Sequence, residues 1–327
     1  MDAGRAQRPL DSTGWPPGRR GFTGPAADPP YSGAVLPARE IPLRARVRLA
    51  HAAVQALATR CGVDLLHIKG PAVDPGLRRE DHGGADVDVI VRPDQLDVLL
   101  AALTGAGWRR ATGFTAGSPF DHAANYVHEH WGLLDVHRTY PGLDADPGLT
   151  FRTLWRDRRT IQLAAVDCAV PDRTAQSLIL LLHAARTRAG GGHPDIGPNW
   201  SDLEEEQRRQ IRDLAATLHA EVGLAAATGE LGRYAGDPRA ALWRAVGDGG
   251  SRLAEWRARV RAAPTARAKA SVALRSLGVN RYYLEQRLGH PASRTEMARE
   301  FARRIGRAGR EGAALVRPRA RRTGGRR

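Results

Sequence analysis

Apolar and polar residues follow two different periods along the chain, and the change of period divides it. Short apolar runs with β-branched residues predict strands at 63–68, 85–91, 125–129 and 133–137. Beyond residue 172 apolar residues recur every three to four positions, which is typical of helices, and Leu178–Leu182 predicts a buried helix segment. We therefore expect an α+β fold, a mixed β-sheet with flanking helices followed by an all-helical C-terminal region.

Punctuating residues indicate where further elements begin and end. A helix is predicted over 43–60, and Pro93 opens another, because proline suits the first turn of a helix. Residues 151–172 are predicted to add short strands. Ser-x-x-Glu capping boxes at Ser201 and Ser293 predict two later helix starts.

These patterns predict four segments. Residues 1–40 are rich in Pro and Gly and lack periodicity, so we expect them to be disordered. An α/β domain over 41–172 and a helical domain over 173–308 follow. Residues 309–327 are expected to form a disordered basic tail, and this part of the chain holds much of the excess positive charge.

Charge and composition narrow the classes of protein. The net charge is +15, and residues 291–327 hold 12 Arg and three Glu. Such an end can contact nucleic acid or another polyanion, or it can be a solvated tail. No run reaches the ~20 apolar residues that span a bilayer, so no membrane association is expected. Cys61 and Cys168 lack metal-site spacing, which favours a reduced cytoplasmic protein.

Asp86 and Asp88 occupy alternate positions in the apolar run Ala85–Val91. Side chains two apart on a strand share a face, about 7 Å apart. Two acids on one face are costly to bury unless a cation neutralises them. We therefore predict that Asp86 and Asp88 hold Mg²⁺, a hard ion that prefers oxygen ligands. The alternative is that both acids are solvated at the strand end.

Two further motifs complete the predicted site. Lys69-Gly70 ends a strand, where a glycine lets the backbone approach phosphates and a lysine neutralises their charge. Asp135 lies within the apolar strand 133–137 and is predicted to add a third carboxylate, as a metal ligand or as a proton acceptor. Alternatively, Lys69 extends along the surface and Asp135 pairs with Arg138.

Four histidines invite comparison with a transition-metal site: His122, His128, His130 and His137. They lack the spacing of a helix-borne zinc site. Contact with substrate, or capping of the predicted hairpin, is the alternative interpretation.

The order of these motifs over residues 60–140 resembles that of bacterial nucleotidyltransferase-like proteins of the DNA polymerase β-type nucleotidyltransferase superfamily. The matching segments are Ile68-Lys69-Gly70, Arg78, Asp86 to Pro93, Gly107-Trp108 and Asp135 to Arg138. The resemblance implies a minimal nucleotidyltransferase sheet, in which Asp86 and Asp88 bind metal, Asp135 is the third acid, and Gly70 with Lys69 binds the triphosphate. The superfamily usually has Gly-Ser at the first turn, whereas this chain has Gly70-Pro71 and lacks that hydroxyl.

The expected activity is transfer of a nucleoside monophosphate from a nucleoside triphosphate such as ATP to a hydroxyl, assisted by two Mg²⁺ ions. The acceptor is left open among a small molecule, a peptide and an RNA end. Two other functions fit the same residues. One is a non-catalytic nucleotide-sensing or interaction module, and the other is an RNA-directed, toxin-like transferase that uses the basic tail.

Overall fold

A five-stranded mixed sheet carries the acidic motif. The computed structural model describes residues 41–78, 84–114, 122–187, 192–247, 252–263, 265–276, 278–279 and 281–316. The sheet strands are β1 (Leu65–His67), β2 (Asp86–Val91), β3 (Arg109–Arg110), β4 (Ala123–His128) and β5 (Gly132–His137). Their spatial order is β1-β2-β5-β4-β3. Strands β6 (Arg159–Leu163) and β7 (Val166–Val170) form a separate antiparallel hairpin.

Strands β2 and β5 run parallel, whereas the other neighbours in the sheet are antiparallel. This arrangement brings the predicted acidic strands side by side. Strand β5 is the central strand of the sheet and β2 is its neighbour, so both edges of each strand are hydrogen-bonded. The predicted α+β class with a mixed sheet is therefore confirmed.

Helices cover both faces of the sheet. The helices within the described residues are α1 (Leu43–Cys61), α2 (Leu96–Gly105), α3 (Pro147–Arg156), α4 (Arg173–Ala184), α5 (Glu205–Thr217), α6 (Glu221–Thr228), α7 (Pro238–Gly247), α8 (Arg252–Ala262), α9 (Ala266–Ser276), α10 (Arg281–Leu288) and α11 (Arg294–Val316). No helix in the described part of the chain is both long and apolar enough to cross a membrane.

Side chains point alternately to the two faces of β2, so they pack in two different apolar cores. Val87, Val89 and Val91 pack with apolar residues of α1 and α2. Ile90 points to the other face and joins a core that includes Leu178 and other residues of α4 to α7. Asp86 and Asp88 share the face of Ile90, since they lie four and two positions before it. The predicted α/β and helical segments thus share one apolar core at the face that carries the acids.

Two elements differ from the sequence prediction. Residues 151–156 belong to helix α3 rather than to strands, because Asp146 accepts a hydrogen bond from the Leu149 amide and Pro147 fills the first turn. Helix α5 begins after Glu204, which forms a capping box with Gln207, so Ser201 is not its cap. Ser201 instead ends a π-helical turn over Gly197–Ser201.

The second predicted capping box is present, and it starts a longer helix than expected. The amide of Ser293 donates to the Glu296 carboxylate at 2.9 Å, and the Glu296 amide donates back to Ser293 Oγ. Helix α11 then runs to Val316, so residues 309–316 of the predicted tail are helical. The predicted disordered segment 1–40 and the last residues, 317–327, lie outside the described part of the chain.

Gly223 marks the tightest packing in the helical region. A Cβ atom at this position would lie 2.5 Å from Leu182 Cδ2 and 2.8 Å from Trp243 Cζ2. We expect Gly223→Ala to lower the free energy of unfolding by about 1–3 kcal/mol, because a filled core must shift to accept an added methyl group. Urea denaturation measures this change. Gly232→Ala is the control, since nothing lies within 4 Å of its added Cβ; equal stability of the two variants would contradict the packing argument.

Candidate functional site

Asp88 and Asp135 face each other across the parallel pair of strands. The register of β2 and β5 sets Asp88 opposite Asp135. Among the described residues, Asp88, Asp135 and His137 each offer a ligand atom, and these atoms lie within 4.8 Å of one another. The acidic residues predicted from two separate motifs therefore meet at one point of the sheet, and His137 joins them.

Asp88 is a buried carboxylate that two neighbours hold. It is 2% exposed, Lys69 Nζ lies 2.6 Å from its Oδ1, and His137 Nε2 donates to the same oxygen at 2.8 Å. Burial alone would raise the pKa of Asp88, but the charge of Lys69 and the hydrogen bond from His137 keep it well below its ordinary value. Asp88 is therefore ionised, and Lys69 is its counter-ion.

Asp135 is oriented by a chain of polar side chains that the sequence did not reveal. Asn125 Nδ2 donates to Asp135 Oδ1, and Thr112 Oγ1 donates to the Asn125 side-chain oxygen. Burial, followed by the negative charge of Asp88, raises the pKa of Asp135 to about 7. Asn125 lies opposite Asp135 in the antiparallel β4–β5 register, so only the pairing of the strands identifies it.

Asp86 lies on the same face at the start of β2 and is half-buried. Its pKa is raised, first by burial and then by the charge of Asp88, while Lys69 opposes the shift. Asp86 is not one of the three residues whose ligand atoms cluster within 4.8 Å. Its role as a metal ligand stays a prediction that rests on its place beside Asp88.

The turn after β1 brings Lys69 to Asp88. Gly70 has φ of +61°, a left-handed conformation that favours glycine, and Gly70–Ala72 forms one 3₁₀ turn with Pro71 in it. A Cβ on Gly84 would meet Gly70 Cα at 3.3 Å, so the turn packs closely against the chain that enters β2. The predicted contact of Lys69 and Gly70 with a triphosphate stays a prediction, since Lys69 here contacts Asp88.

The four histidines of the sequence analysis divide into two groups. The rings of His122 and His137 contact each other in a tilted arrangement with centres 5.1 Å apart, and His137 also bonds Asp88. His128 instead contacts His130 at the hairpin end, where its Nδ1 accepts from the His130 amide at 3.1 Å. His128 and His130 thus cap the hairpin, as one of the two interpretations proposed.

Tyr140, His183 and Arg186 lie near the site and were not predicted from the sequence. The Tyr140 ring is tilted against that of His137 with ring centres 5.6 Å apart, and Arg186 Nη2 donates to Tyr140 Oη at 3.2 Å. Burial lowers the pKa of His183, and the charges of Lys69 and Arg186 lower it further. The signal in the sequence was the placement of His183 in the last turn of an apolar helix and of Arg186 just after that helix.

The donor set fits a divalent cation. Carboxylate oxygens of Asp88 and Asp135 converge, and the raised pKa values of Asp86 and Asp135 reflect mutual repulsion as well as burial. A cation between these groups relieves that repulsion. His137 uses Nε2 to hold Asp88, which suits a residue that orients a ligand. Asp88 and Asp135 are thus residues in the described part of the chain that could hold a metal, and Asp86 stays a predicted ligand.

Comparison with known proteins gives structural matches alone. No family model matches the chain, and no curated protein matches it. The lincomycin-bound lincosamide antibiotic adenylyltransferase LnuA is 16% identical over 52% of this chain and 96% of its own, with a TM-score of 0.31. The antibiotic-resistance factor ANT(2'')-Ia is 16% identical over 58% and 93%, with a TM-score of 0.34. An antigenic nucleotidyltransferase-like protein from Paracoccidioides brasiliensis is 15% identical over 56% and 92%, with a TM-score of 0.30. Two of the three are named for adenylyl or nucleotidyl transfer.

Proposed function

We propose that this chain is a Mg²⁺-dependent nucleotidyltransferase that transfers a nucleoside monophosphate from a nucleoside triphosphate to a hydroxyl group. One observation carries the proposal: Asp88 and Asp135 face each other in register on adjacent parallel strands, with Asp86 on the same face. Carboxylates that converge in this way repel each other unless they share cations.

Each residue has a role in the proposed reaction. Asp86, Asp88 and Asp135 would hold two Mg²⁺ ions, which would neutralise charge on the phosphate oxygens. Asp135 accepts the proton of the acceptor hydroxyl. The hydroxyl oxygen then forms its bond to the α-phosphorus, the bond from that phosphorus to the bridging oxygen breaks, and pyrophosphate leaves. Lys69 and the Gly70 backbone lie beside the polyphosphate, and Asn125 keeps Asp135 oriented.

The acceptor is a small molecule, a peptide or an RNA end, and the Arg-rich C-terminal end of the chain can add a contact to a polyanion. We propose that the reaction takes place in the cytoplasm. Cys61 and Cys168 are both free thiols, which supports a reducing environment.

A pair of labels tests the proposed reaction. The purified protein is incubated with a cell extract, Mg²⁺ and each nucleoside triphosphate, labelled at either the α- or the γ-phosphate. Nucleotidyl transfer puts the α-label on an acceptor and releases the γ-label as pyrophosphate, and EDTA stops both. Transfer of the γ-label to the acceptor would show a kinase instead. Absence of nucleotide binding in the presence of Mg²⁺ would favour an interaction module without catalysis.

Because Lys69 pairs with Asp88, its replacement is expected to change the affinity for Mg²⁺ and the affinity for nucleotide in opposite directions. Lys69 competes with a cation for Asp88 Oδ1, so Lys69→Met is expected to bind Mg²⁺ more tightly in the absence of nucleotide, roughly five- to thirtyfold. The same variant is expected to bind nucleoside triphosphate more weakly, because a cation near the phosphates is lost.

Isothermal titration calorimetry measures both affinities. Lys69→Arg is the matched control, since it keeps the charge and is expected to bind Mg²⁺ as the wild type does. Unchanged Mg²⁺ affinity in Lys69→Met would show that Lys69 does not oppose metal binding.

A further inference from the structure

The proposed donor needs phosphate ligands that the first turn does not supply. Gly70-Pro71 carries no hydroxyl, and Lys69 is shared with Asp88. A polyphosphate carries several negative charges, and proteins bind it with cationic side chains and hydrogen-bond donors. Further ligands must therefore come from another part of the chain, if the proposed function holds.

Two candidate residues lie at the end of α4: His183 is in its last turn, and Arg186 is the second residue after the helix. Arg186 is anchored in three ways: its Nη2 donates to Tyr140 Oη, its guanidinium lies over the Tyr140 ring at 5.2 Å, and its Nε donates to the Leu182 carbonyl at 3.4 Å. The Tyr140 ring in turn contacts the His137 ring, and His137 donates a hydrogen bond to Asp88. Two side chains, those of Tyr140 and His137, thus connect Arg186 with Asp88, the proposed metal ligand.

The same series of contacts connects Arg186 with Lys69, because Lys69 pairs with Asp88 at 2.6 Å. The charge of Arg186 acts to lower the pKa of Lys69, His122 and His137, and the charges of Lys69 and Arg186 both lower the pKa of His183. Two cations, Lys69 and Arg186, therefore act on the site, and Lys69 contacts its carboxylate directly.

His183 adds a neutral polar group to these cations. Burial, then Lys69 and Arg186, lower the pKa of His183 to about 3, so the ring is neutral near pH 7. Its Nδ1 is buried and has no hydrogen-bond partner in the described part of the chain. A buried ring nitrogen without a partner is costly unless a ligand supplies one. A phosphate oxygen beside Lys69 and Arg186 is such a partner.

We propose that Arg186 and His183 bind the polyphosphate of the nucleotide together with Lys69, and that they take the place of the missing turn hydroxyl. The helical region thereby contributes directly to the nucleotide site. The guanidinium presents planar donors to two phosphate oxygens, and the imidazole donates one hydrogen bond. The choice of a nucleotide as ligand rests on the proposed function, whereas the binding test does not require that reaction.

Calorimetric titration with tripolyphosphate in excess Mg²⁺ tests the proposal without a base or an acceptor. Arg186→Gln is expected to weaken binding about ten- to a hundredfold, and His183→Gln about three- to tenfold. Arg158→Gln is the matched control. Arg158 also lies over an aromatic ring, that of Trp155 at 4.0 Å, and donates to the Trp155 carbonyl, so the variant loses the same charge and the same kind of contact elsewhere.

A conservative variant separates loss of a phosphate contact from loss of folding, either of which weakens binding in Arg186→Gln. Arg186→Lys keeps the charge and is expected to weaken tripolyphosphate binding about three- to tenfold, because a single ammonium does not reproduce the paired donors. Wild-type affinity in Arg186→Lys together with wild-type affinity in His183→Gln would overturn the proposal. So would a wild-type protein that does not bind tripolyphosphate, or an equal loss in Arg158→Gln.

The two proposals fail separately. If the wild type transfers no nucleotide but Arg186→Gln still loses tripolyphosphate affinity, the phosphate site stands and the proposed reaction is wrong. If label is transferred and every variant binds tripolyphosphate as the wild type does, the reaction stands and the phosphate ligands lie elsewhere.

Discussion

Asp88→Ala is expected to lower the free energy of unfolding by about 3–5 kcal/mol, the cost of removing one partner of a buried ion pair. The change leaves Lys69 Nζ and His137 Nε2 without their shared acceptor. The side chain of Lys69 is only 16% exposed, so water replaces that acceptor poorly. Urea denaturation of the wild type and the variant measures the difference.

A double variant separates the ion pair from the rest of the site. Asp88→Leu combined with Lys69→Met removes both charges and fills similar volume, and it is expected to recover most of the lost stability. Asp88→Asn, which keeps the shape and an acceptor oxygen, should fall between the wild type and Asp88→Ala. If Asp88→Ala loses less than about 1 kcal/mol, the pair contributes no more than an exposed one.

Asp86→Asn is expected to reduce nucleotidyl transfer roughly a thousandfold while the protein stays folded. Loss of a metal ligand removes several kcal/mol of transition-state stabilisation, and about 4 kcal/mol corresponds to that factor. Stability should stay the same or rise slightly, because the amide removes a charge that Asp88 repels. The assay is the rate of α-label transfer at saturating Mg²⁺, read beside the thermal midpoint.

Asp157→Asn is the control for Asp86→Asn. Asp157 is an exposed acid next to Arg156 in the connection between α3 and β6, and its loss changes net charge by the same amount outside the five-stranded sheet. A transfer rate of Asp86→Asn within tenfold of the wild-type rate would show that Asp86 is not a metal ligand. A large drop in its thermal midpoint would show that Asp86 supports the fold instead.

Local signals were enough to predict the strands that carry the acids. An apolar run interrupted by two aspartates at alternate positions defined β2, and a second run with one acid defined β5. What those signals did not contain was register. Asn125 and Thr112 reach Asp135 only because β4 pairs with β5 in one alignment, and a shift by one residue would turn Asn125 to the other face.

Other differences arose where two local signals competed. Residues 151–156 contain Phe151, Leu154 and Trp155, which suit a strand, yet Asp146 and Pro147 just before them start a helix. Ser201 and Glu204 have the spacing of a capping box, but the chain uses Ser201 in a π-helical turn and Glu204 as the cap. The contact of α4 with the site depends on tertiary packing, so no pattern in the sequence predicted the place of Arg186 beside Tyr140.

The parallel pairing of β2 with β5 has a consequence for the order of folding. Parallel neighbours need a long crossover, here one that contains α2, β3 and β4, so the pair closes a large loop. Contacts of high sequence separation form slowly, and the charges of Asp88 and Asp135 repel each other as the strands approach. The hairpin of β4 and β5 is local and can form earlier. Docking of β2 onto that hairpin would then be the late step, and a cation that bridges the two acids would favour it.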